Sequence, residues 1–411
     1  MRGPRQNHQI VLLQGGREYF PALLDAIDAA QHEVRLETYI FHFDASGAPV
    51  AAALERAANR GVQVYLVVDG VGTPDIPGEW VDRLNASGVS WRVFLPLRHL
   101  GVFIPNRWRR LHRKLCVIDG STAFCGGINV LDDFSDPGAD MLSEPRLDFA
   151  VKVTGPLVRD ALDAMTRFWW RMTVAADVRD RDIPAAWHAL QQQLHLKLSE
   201  RKESGLVAAL HNRPPGPQRR GARANLVLRD NLRNRRRIER TYLRAIGVAR
   251  TEVIIANAYF LPGVRLRKAL IHAASRGVRV RLLLQGRYEY FLQYHGSRPV
   301  IGLLLAAGVE IHEYAASYLH AKVAVIDARW ATVGSSNLDP LSMLLAREAN
   351  VVVHDREFAS LLRMRLEQAM EHGGRKVDAA AFANRSLRQR TLEFLAFMAM
   401  RAGLFLIGRR Y

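Results

Sequence analysis

HRKLCVIDGSTAFCGGIN (112–129) and HAKVAVIDARWATVGSSN (320–337) repeat one pattern: a His, a Lys two residues on, an Asp five further, then small residues closing on Asn. Repeats are sought first because they fix architecture. Working outward, AIDAAQHEV (26–34) returns as AIGVARTEV (245–253). Next, ALERAANRGVQVYLVVDG (53–70) returns as ALIHAASRGVRVRLLLQG (269–286), and LNASGV (84–89) as LLAAGV (304–309). The four matches keep one order, with offsets of 208 to 220 residues. The chain is read as a duplication.

Each copy reads as alternating helix and strand. Leu266, Ala269, Leu270, Ala273 and Ala274 follow helical spacing, and Gly277 ends the run. VRVRLLLQG then has the short, branched, apolar character of a buried strand. The expected fold is α/β: two similar lobes, each a β-sheet flanked by helices, related by a pseudo-twofold and sharing one active site. The first lobe is placed at 1–198, a linker rich in charge, Pro and Gly at 199–225, the second lobe at 226–380 and a tail at 381–411.

Lys and Arg number 58 against 40 Asp and Glu, a net charge of +18. Such an excess repels itself unless it meets an anionic partner, either nucleic acid or an anionic lipid surface. The two cysteines, Cys116 and Cys125, exclude a disulfide framework and lack partners at zinc spacing. No stretch reaches the roughly 18 to 20 apolar residues of a membrane span. The opening MRGPRQNHQIVLL holds no signal-peptide core. An intracellular protein that does not cross the membrane is expected.

Side chains at i and i+2 share a strand face, so His112 projects with Lys114, and His320 with Lys322. Asp119 and Asp327 have the opposite parity and read as turn-forming, backbone-bonding residues that serve the motif through shape. The runs ending at Asn129 and Asn337 bring backbone N–H groups and a neutral donor to a phosphate. Ser335, where the first copy has Gly127, is read as an extra hydroxyl donor to that phosphate. Two imidazoles and two ammonium groups around one anion fit phosphodiester substitution: one neutral His attacks phosphorus, and the other, protonated, supplies the leaving alcohol. Lysines and asparagines would neutralise the equatorial oxygens. Neither a metal nor another cofactor is called for.

These two sets resemble the signature of the phospholipase D superfamily, HxKxxxxD followed by GG or GS-x-N, twice per site. Within it, GSSNLDPLSMLLAREANVVVHD (334–355) and GRYEYFLQYHGSR (286–298) look like the bacterial cardiolipin synthases, the B-type group in particular. The resemblance implies phosphatidyl transfer through a phosphohistidine. One phosphatidylglycerol, or phosphatidylethanolamine, gives its phosphatidyl group to a His, and the hydroxyl of a second phosphatidylglycerol then receives it. By the superfamily's habit His112 is the nucleophile and His320 the acid, then base. His112, Lys114, Asp119, His320, Lys322 and Asp327 form the implied catalytic set. The superfamily also orients its histidines with a downstream carboxylate, a role that falls to Glu348 and Asp148.

The superfamily holds nucleases too, so the substrate needs separate support. FLPLRHLGVFIPNRWRRLHRK (94–114) merges apolar residues into Arg and Trp, as an interfacial anchor does, with Trp108 among Arg107, Arg109 and Arg110. FLAFMAMRAGLFLIGRRY (394–411) reads as an amphipathic helix lying on a membrane surface. No zinc finger, helix-turn-helix or RNA-binding aromatic signature is seen. Phospholipids and an anionic membrane surface are the expected partners, at the inner membrane's cytoplasmic face. A nuclease and a catalytically silent lipid-binding protein are the alternatives.

Overall fold

The computed structural model describes residues 5–96, 109–135, 141–179, 221–230, 234–288 and 291–406. The first half runs β1 (Arg5–Gln14), α1 (Gly15–Asp28), β2 (Glu33–Thr38), α2 (Gly47–Asn59), β3 (Gln63–Asp69), α3 (Gly78–Ala86), β4 (Ser90–Phe94), β5 (Arg110–Leu111), β6 (Lys114–Ile118), β7 (Thr122–Gly126), β8 (Phe149–Thr154) and α4 (Leu157–Arg179). The second runs β9 (Ala222–Arg229), α5 (Arg237–Gly247), β10 (Glu252–Asn257), α6 (Val264–Ser275), β11 (Arg279–Gln285), α7 (Phe291–Ala306), β12 (Glu310–Tyr314), β13 (Lys322–Ile326), β14 (Trp330–Gly334), α8 (Pro340–Leu345), β15 (Ala346–His354), α9 (Arg356–Gly373), β16 (Gly374–Lys376), α10 (Ala379–Ala383) and α11 (Leu387–Leu406).

The strands join in the order β16-β12-β11-β10-β13-β14-β15-β9-β1-β8-β7-β6-β2-β3-β4. From the β1–β9 seam outward the two sides are equivalents: β8 matches β15, β7 matches β14, β6 matches β13, β2 matches β10, β3 matches β11 and β4 matches β12. The seam is antiparallel, as a twofold between like strands requires. The outer strands of each half, β2–β3–β4 and β10–β11–β12, are parallel, which is the helix-crossover part of the design. β9 begins at Ala222, inside the stretch assigned to the linker. The linker's remaining residues up to 220 lie outside the described residues.

KLCVI and KVAVI are buried on both faces, which is why they read as unbroken apolar runs. Alternate residues serve different cores. Cys116 and Ile118 pack with α1 and α2 in the first half, and Ala324 and Ile326 with α5, α6 and α7 in the second. Leu115, Val117, Val323 and Val325 meet in one core that both halves share, closed by α4 through Met165 and by α9 through Phe358, Leu362 and Leu366. Those α9 residues recur every four positions, so the helix turns one apolar face inward. Each such side chain contributes about 1.5–3 kcal/mol. The Asp355 carboxylate caps α9 by accepting the Phe358 N–H at 2.9 Å. The shared core fixes one half against the other, and the site spans both.

The tail helix α11 docks on α7. Ala396 is buried, and Met400 lies against Gly296. Its other face leaves Leu392, Phe394, Leu395 and Met398 exposed.

Candidate active site

His112 occupies the break between β5 and β6, and His320 stands just ahead of β13. Each is held by the opposite half. The His112 N–H donates to the Arg347 carbonyl at 3.1 Å, and the His320 N–H to the Leu147 carbonyl at 2.8 Å. Arg347 and Leu147 immediately precede Glu348 and Asp148. The carboxylates therefore arrive crosswise: Glu348 Oε1 lies 3.0 Å from His112 Nδ1, and Asp148 Oδ2 lies 2.6 Å from His320 Nδ1. With Nδ1–H donated to a carboxylate, Nε2 of a neutral ring is left with its lone pair.

The two lysines begin β6 and β13, both buried, and each ammonium donates to the carbonyl of its own motif's His. Burial pulls Lys114 down to about 7, with Glu348 resisting and Lys322 adding to the fall. A bound anion beside the two buried lysines would favour the charged form of Lys114.

The two imidazole–carboxylate pairs differ. Burial pushes Glu348 upward, but His112, Lys114 and the Ser335 hydroxyl more than offset it, and its carboxyl sits below the ordinary value. Burial lifts Asp148 to about 7 even against Lys322. Burial also lowers His112, with Glu348 opposing, and lowers His320 further, aided by Lys322 and Lys114. Because Asp148 and His320 are tightly coupled, the extra proton belongs to the pair. That pair keeps a proton near neutral pH, while Glu348 stays anionic beside His112. Tyr39 adds a further difference: its ring packs on His112 at 5.0 Å between centroids.

Ser335 does not face a phosphate. It is fully buried, and its hydroxyl donates to Glu348 Oε2 at 2.5 Å, while Ser342 donates to Oε1 at 2.7 Å. The expectation of a phosphate donor is corrected to one of a carboxylate holder. The reason for Gly127 in the first copy follows, since a Cβ there would collide with the Asp148 carboxylate. Asp148 instead takes its backbone partner locally, accepting the Phe149 N–H at 2.8 Å.

Asp119 and Asp327 are not brought to the imidazoles either. They lie at the far ends of β6 and β13, where Asp119 accepts N–H groups of Gln31, His32 and Glu33 at 2.8–2.9 Å. Asp327 does the same for Arg250, Thr251 and Glu252. Both sit in the left-handed region, φ 49° and 51°, followed by Gly120 at 59° and Ala328 at 47°, the turn that right-twisted hairpins favour. Their place in a catalytic set is therefore indirect. Asn129 accepts the Ile40 N–H at 3.2 Å, which aligns its carboxamide. Asn337 keeps a buried side-chain oxygen with no hydrogen-bond partner.

Residues the sequence reading passed over complete the frame. Asp69, fully buried, accepts the Leu111 N–H at 2.7 Å and Arg110 at 3.0 Å, fixing the approach to His112. Gln285, its counterpart in the repeat alignment, accepts the Leu319 N–H at 3.0 Å beside His320. The parallel ends VVDG and LLQG were the available signal. The buried pair Arg113–Glu37 anchors β6 to β2. The expected anchor at Arg107 and Trp108 lies outside the described residues.

The family model described as "Cardiolipin synthase, PLD-like domain" matches residues 23–134 and 242–370. The chain is 39% identical over 414 aligned residues to cardiolipin synthase B of Escherichia coli strain K12, covering 98% of this chain and 90% of that one. It is 31% identical to cardiolipin synthase A of Pseudomonas entomophila, covering 88% of this chain and 68% of that protein. Among solved structures, phosphatidylserine synthase of Haemophilus influenzae Rd KW20 superposes with a TM-score of 0.65 at 12% identity, covering 99% of this chain and 96% of that one. That likeness is one of fold.

Proposed function

Since this chain belongs to the PLD-like cardiolipin synthase family, we propose that it is a phospholipid transphosphatidylase that makes cardiolipin from phosphatidylglycerol. The observation that carries the reading is the pair of imidazoles, each backed by a carboxylate from the opposite half and flanked by a buried lysine. In the first step His112 Nε2 attacks phosphorus, the bond to the headgroup oxygen breaks, and the His320–Asp148 pair delivers its proton to that oxygen. Glycerol leaves, or ethanolamine if phosphatidylethanolamine is the donor. In the second step the same pair takes the proton of an incoming phosphatidylglycerol hydroxyl, whose oxygen displaces His112 from phosphorus. The unequal carboxylates support this division. An anionic Glu348 stabilises the positive charge that His112 gains on attack, and the proton-retaining pair supplies the leaving group. Lys114 and Lys322 neutralise the equatorial oxygens.

The reaction belongs at a membrane surface. No helix among the described residues is long and apolar enough to cross a bilayer. The exposed face of α11, with Phe394 and Leu395 at 56% and 58% exposure, is suited to lie on one. Its far end runs to the active-site end of the second half: Met400 and Arg401 border a recess with Leu261, Pro262 and Pro340, just past Asn337.

Purified protein is incubated with phosphatidylglycerol vesicles in a chelator, and lipids and released alcohol are followed by mass spectrometry. Cardiolipin and glycerol in equal amounts, lost in His112→Ala, are expected. Phosphatidic acid alone would make the protein a hydrolase, and cleavage of an oligonucleotide with no lipid turnover would defeat the lipid reading.

A further inference from the structure

A recess among the described residues lies beside the His320 motif, in the second half. Its volume is ≈ 50 Å³, room for a few water-sized groups behind an open mouth, and it is lined among others by Ala258, Tyr259, Gln285, Tyr294, Ser297 and Arg298. Two of its lining residues adjoin the motif directly. Gln285 holds the Leu319 N–H, and the Ala258 N–H donates to the Ala321 carbonyl at 3.0 Å. Leu319 and Ala321 flank His320. The stretch 286–298, part of the cardiolipin-synthase-like text, supplies Tyr294, Ser297 and Arg298 to the wall.

The pseudo-twofold shows what is special here. In the first half the carboxylate of Asp69 is fully engaged, by Leu111 on one oxygen and by Arg110 and the Val71 N–H on the other. In the second half Gln285 uses its oxygen in the same way, but its amide Nε2 is buried without a hydrogen-bond partner. Where Tyr39 packs on His112, two residues ahead of Phe41, the second half has Ala258, two ahead of Phe260; Phe41 and Phe260 make equivalent bridges. The small residue opens the space that Tyr39 closes. Arg298, buried and ion-paired with Glu313, stacks on Tyr294 at 4.0 Å and also keeps an unpartnered Nε. Ser297 donates its hydroxyl to the Tyr294 carbonyl, leaving its oxygen as an acceptor. Buried polar atoms without partners are rare enough to need a reason.

We propose that this recess is the polyol pocket of the reaction, which holds the glycerol headgroup through its hydroxyls first as leaving group and then as acceptor. The inference rests on the phosphatidyl-transfer reading above and adds where the alcohol sits. His320 acts on the leaving oxygen and, in reverse, on the entering one, so both alcohols occupy the same side of phosphorus. The recess adjoins the residues that flank His320. Its donors, the Gln285 amide and the Arg298 guanidinium, and its Ser297 acceptor match a neutral diol. Arg287 and Arg298 outnumber Glu313, which itself binds Arg298 and Arg375, so a cationic alcohol gains nothing from the pocket's charge.

The test compares kcat/KM for phosphatidylglycerol with that for phosphatidylmethanol, whose headgroup lacks the diol, in vesicles of matched composition. The wild-type protein is expected to favour phosphatidylglycerol by at least about tenfold, the worth of one or two well-made hydrogen bonds. Ser297→Leu fills the recess and should bring that ratio close to one. Gln285→Glu keeps the oxygen that accepts from Leu319 but removes the amide donor, and should lower the ratio about tenfold; it carries the test if Ser297→Leu does not fold. A wild-type ratio near one, or a ratio unchanged within twofold in the folded variants, overturns the pocket and leaves phosphatidyl transfer standing. Turnover of neither lipid by the wild-type protein overturns phosphatidyl transfer and the pocket with it.

Discussion

Replacing Glu348 by Gln tests whether His112 depends on a carboxylate supplied from the other half of the chain. The exchange keeps the side chain's shape. Ser335 and Ser342 now donate to Glu348, and either hydroxyl can rotate to accept from a glutamine amide, so the fold should lose no more than about 1–3 kcal/mol. The chemistry loses far more. When His112 attacks phosphorus its ring becomes cationic with the carboxylate 3.0 Å away. At an effective dielectric of about 20, a unit pair at that distance is worth about 5 kcal/mol, of which the amide dipole recovers a part. The Gln amide can also present its N–H groups to Nδ1, favouring the wrong tautomer; the same fault in a serine-protease triad costs about 10⁴-fold. A fall in kcat of about 10³-fold is expected, with KM changed little because the lipid does not touch Glu348. The assay is cardiolipin formation under saturating phosphatidylglycerol, with a thermal melt to establish folding. A folded Glu348→Gln protein within tenfold of wild-type kcat would refute the argument.

The pH profile of kcat/KM should be bell-shaped. His112 must be neutral to attack, and burial holds it below its ordinary value, so the acid limb falls under pH 6.5. The His320–Asp148 pair must hold its proton, which Asp148 retains up to about 7, so activity declines as pH rises through that value. Asp148→Asn should make that alkaline limb shallower in steady-state assays over pH 5–9, leaving the part contributed by Lys114, which burial also brings to about 7. Gly127→Ser should lower activity at least about tenfold, because its Cβ collides with the Asp148 carboxylate; a wild-type rate would show that the carboxylate can shift freely. Ala328→Gly should raise stability by about 1 kcal/mol in chemical denaturation, since Ala328 stands at φ 47°, where glycine carries no Cβ penalty.

The sequence made the duplication readable because repeated text survives in strands and turns whose geometry tolerates little change. HxK at the head of a buried strand, and Asp at a turn with positive φ, are local constraints. The fold class and pseudo-twofold follow from them, and the structure has both. The crossed pairing was not readable. Glu348 meets a His 236 residues away and Asp148 one 172 away, and nothing in the spacing says that each carboxylate serves the opposite copy. That depends on β5 running beside β15, which only the assembled core decides. Ser335 misled for the same reason. A hydroxyl in a small-residue loop reads as a phosphate donor until Glu348 is seen behind it. The tail was half legible: its apolar content was plain, but which face α7 covers was set by a glycine, Gly296, about a hundred residues upstream.

The most direct test of the account is to find where the phosphatidyl group rests between its two alcohols. Protein mixed with phosphatidylglycerol, quenched within one turnover and digested under conditions that preserve phosphohistidine, is read by peptide mass spectrometry. The account predicts a phosphatidyl adduct on the peptide carrying His112, absent in His112→Ala and reduced in Glu348→Gln. An adduct on His320 instead, or cardiolipin formed at the wild-type rate by His112→Ala, would contradict it.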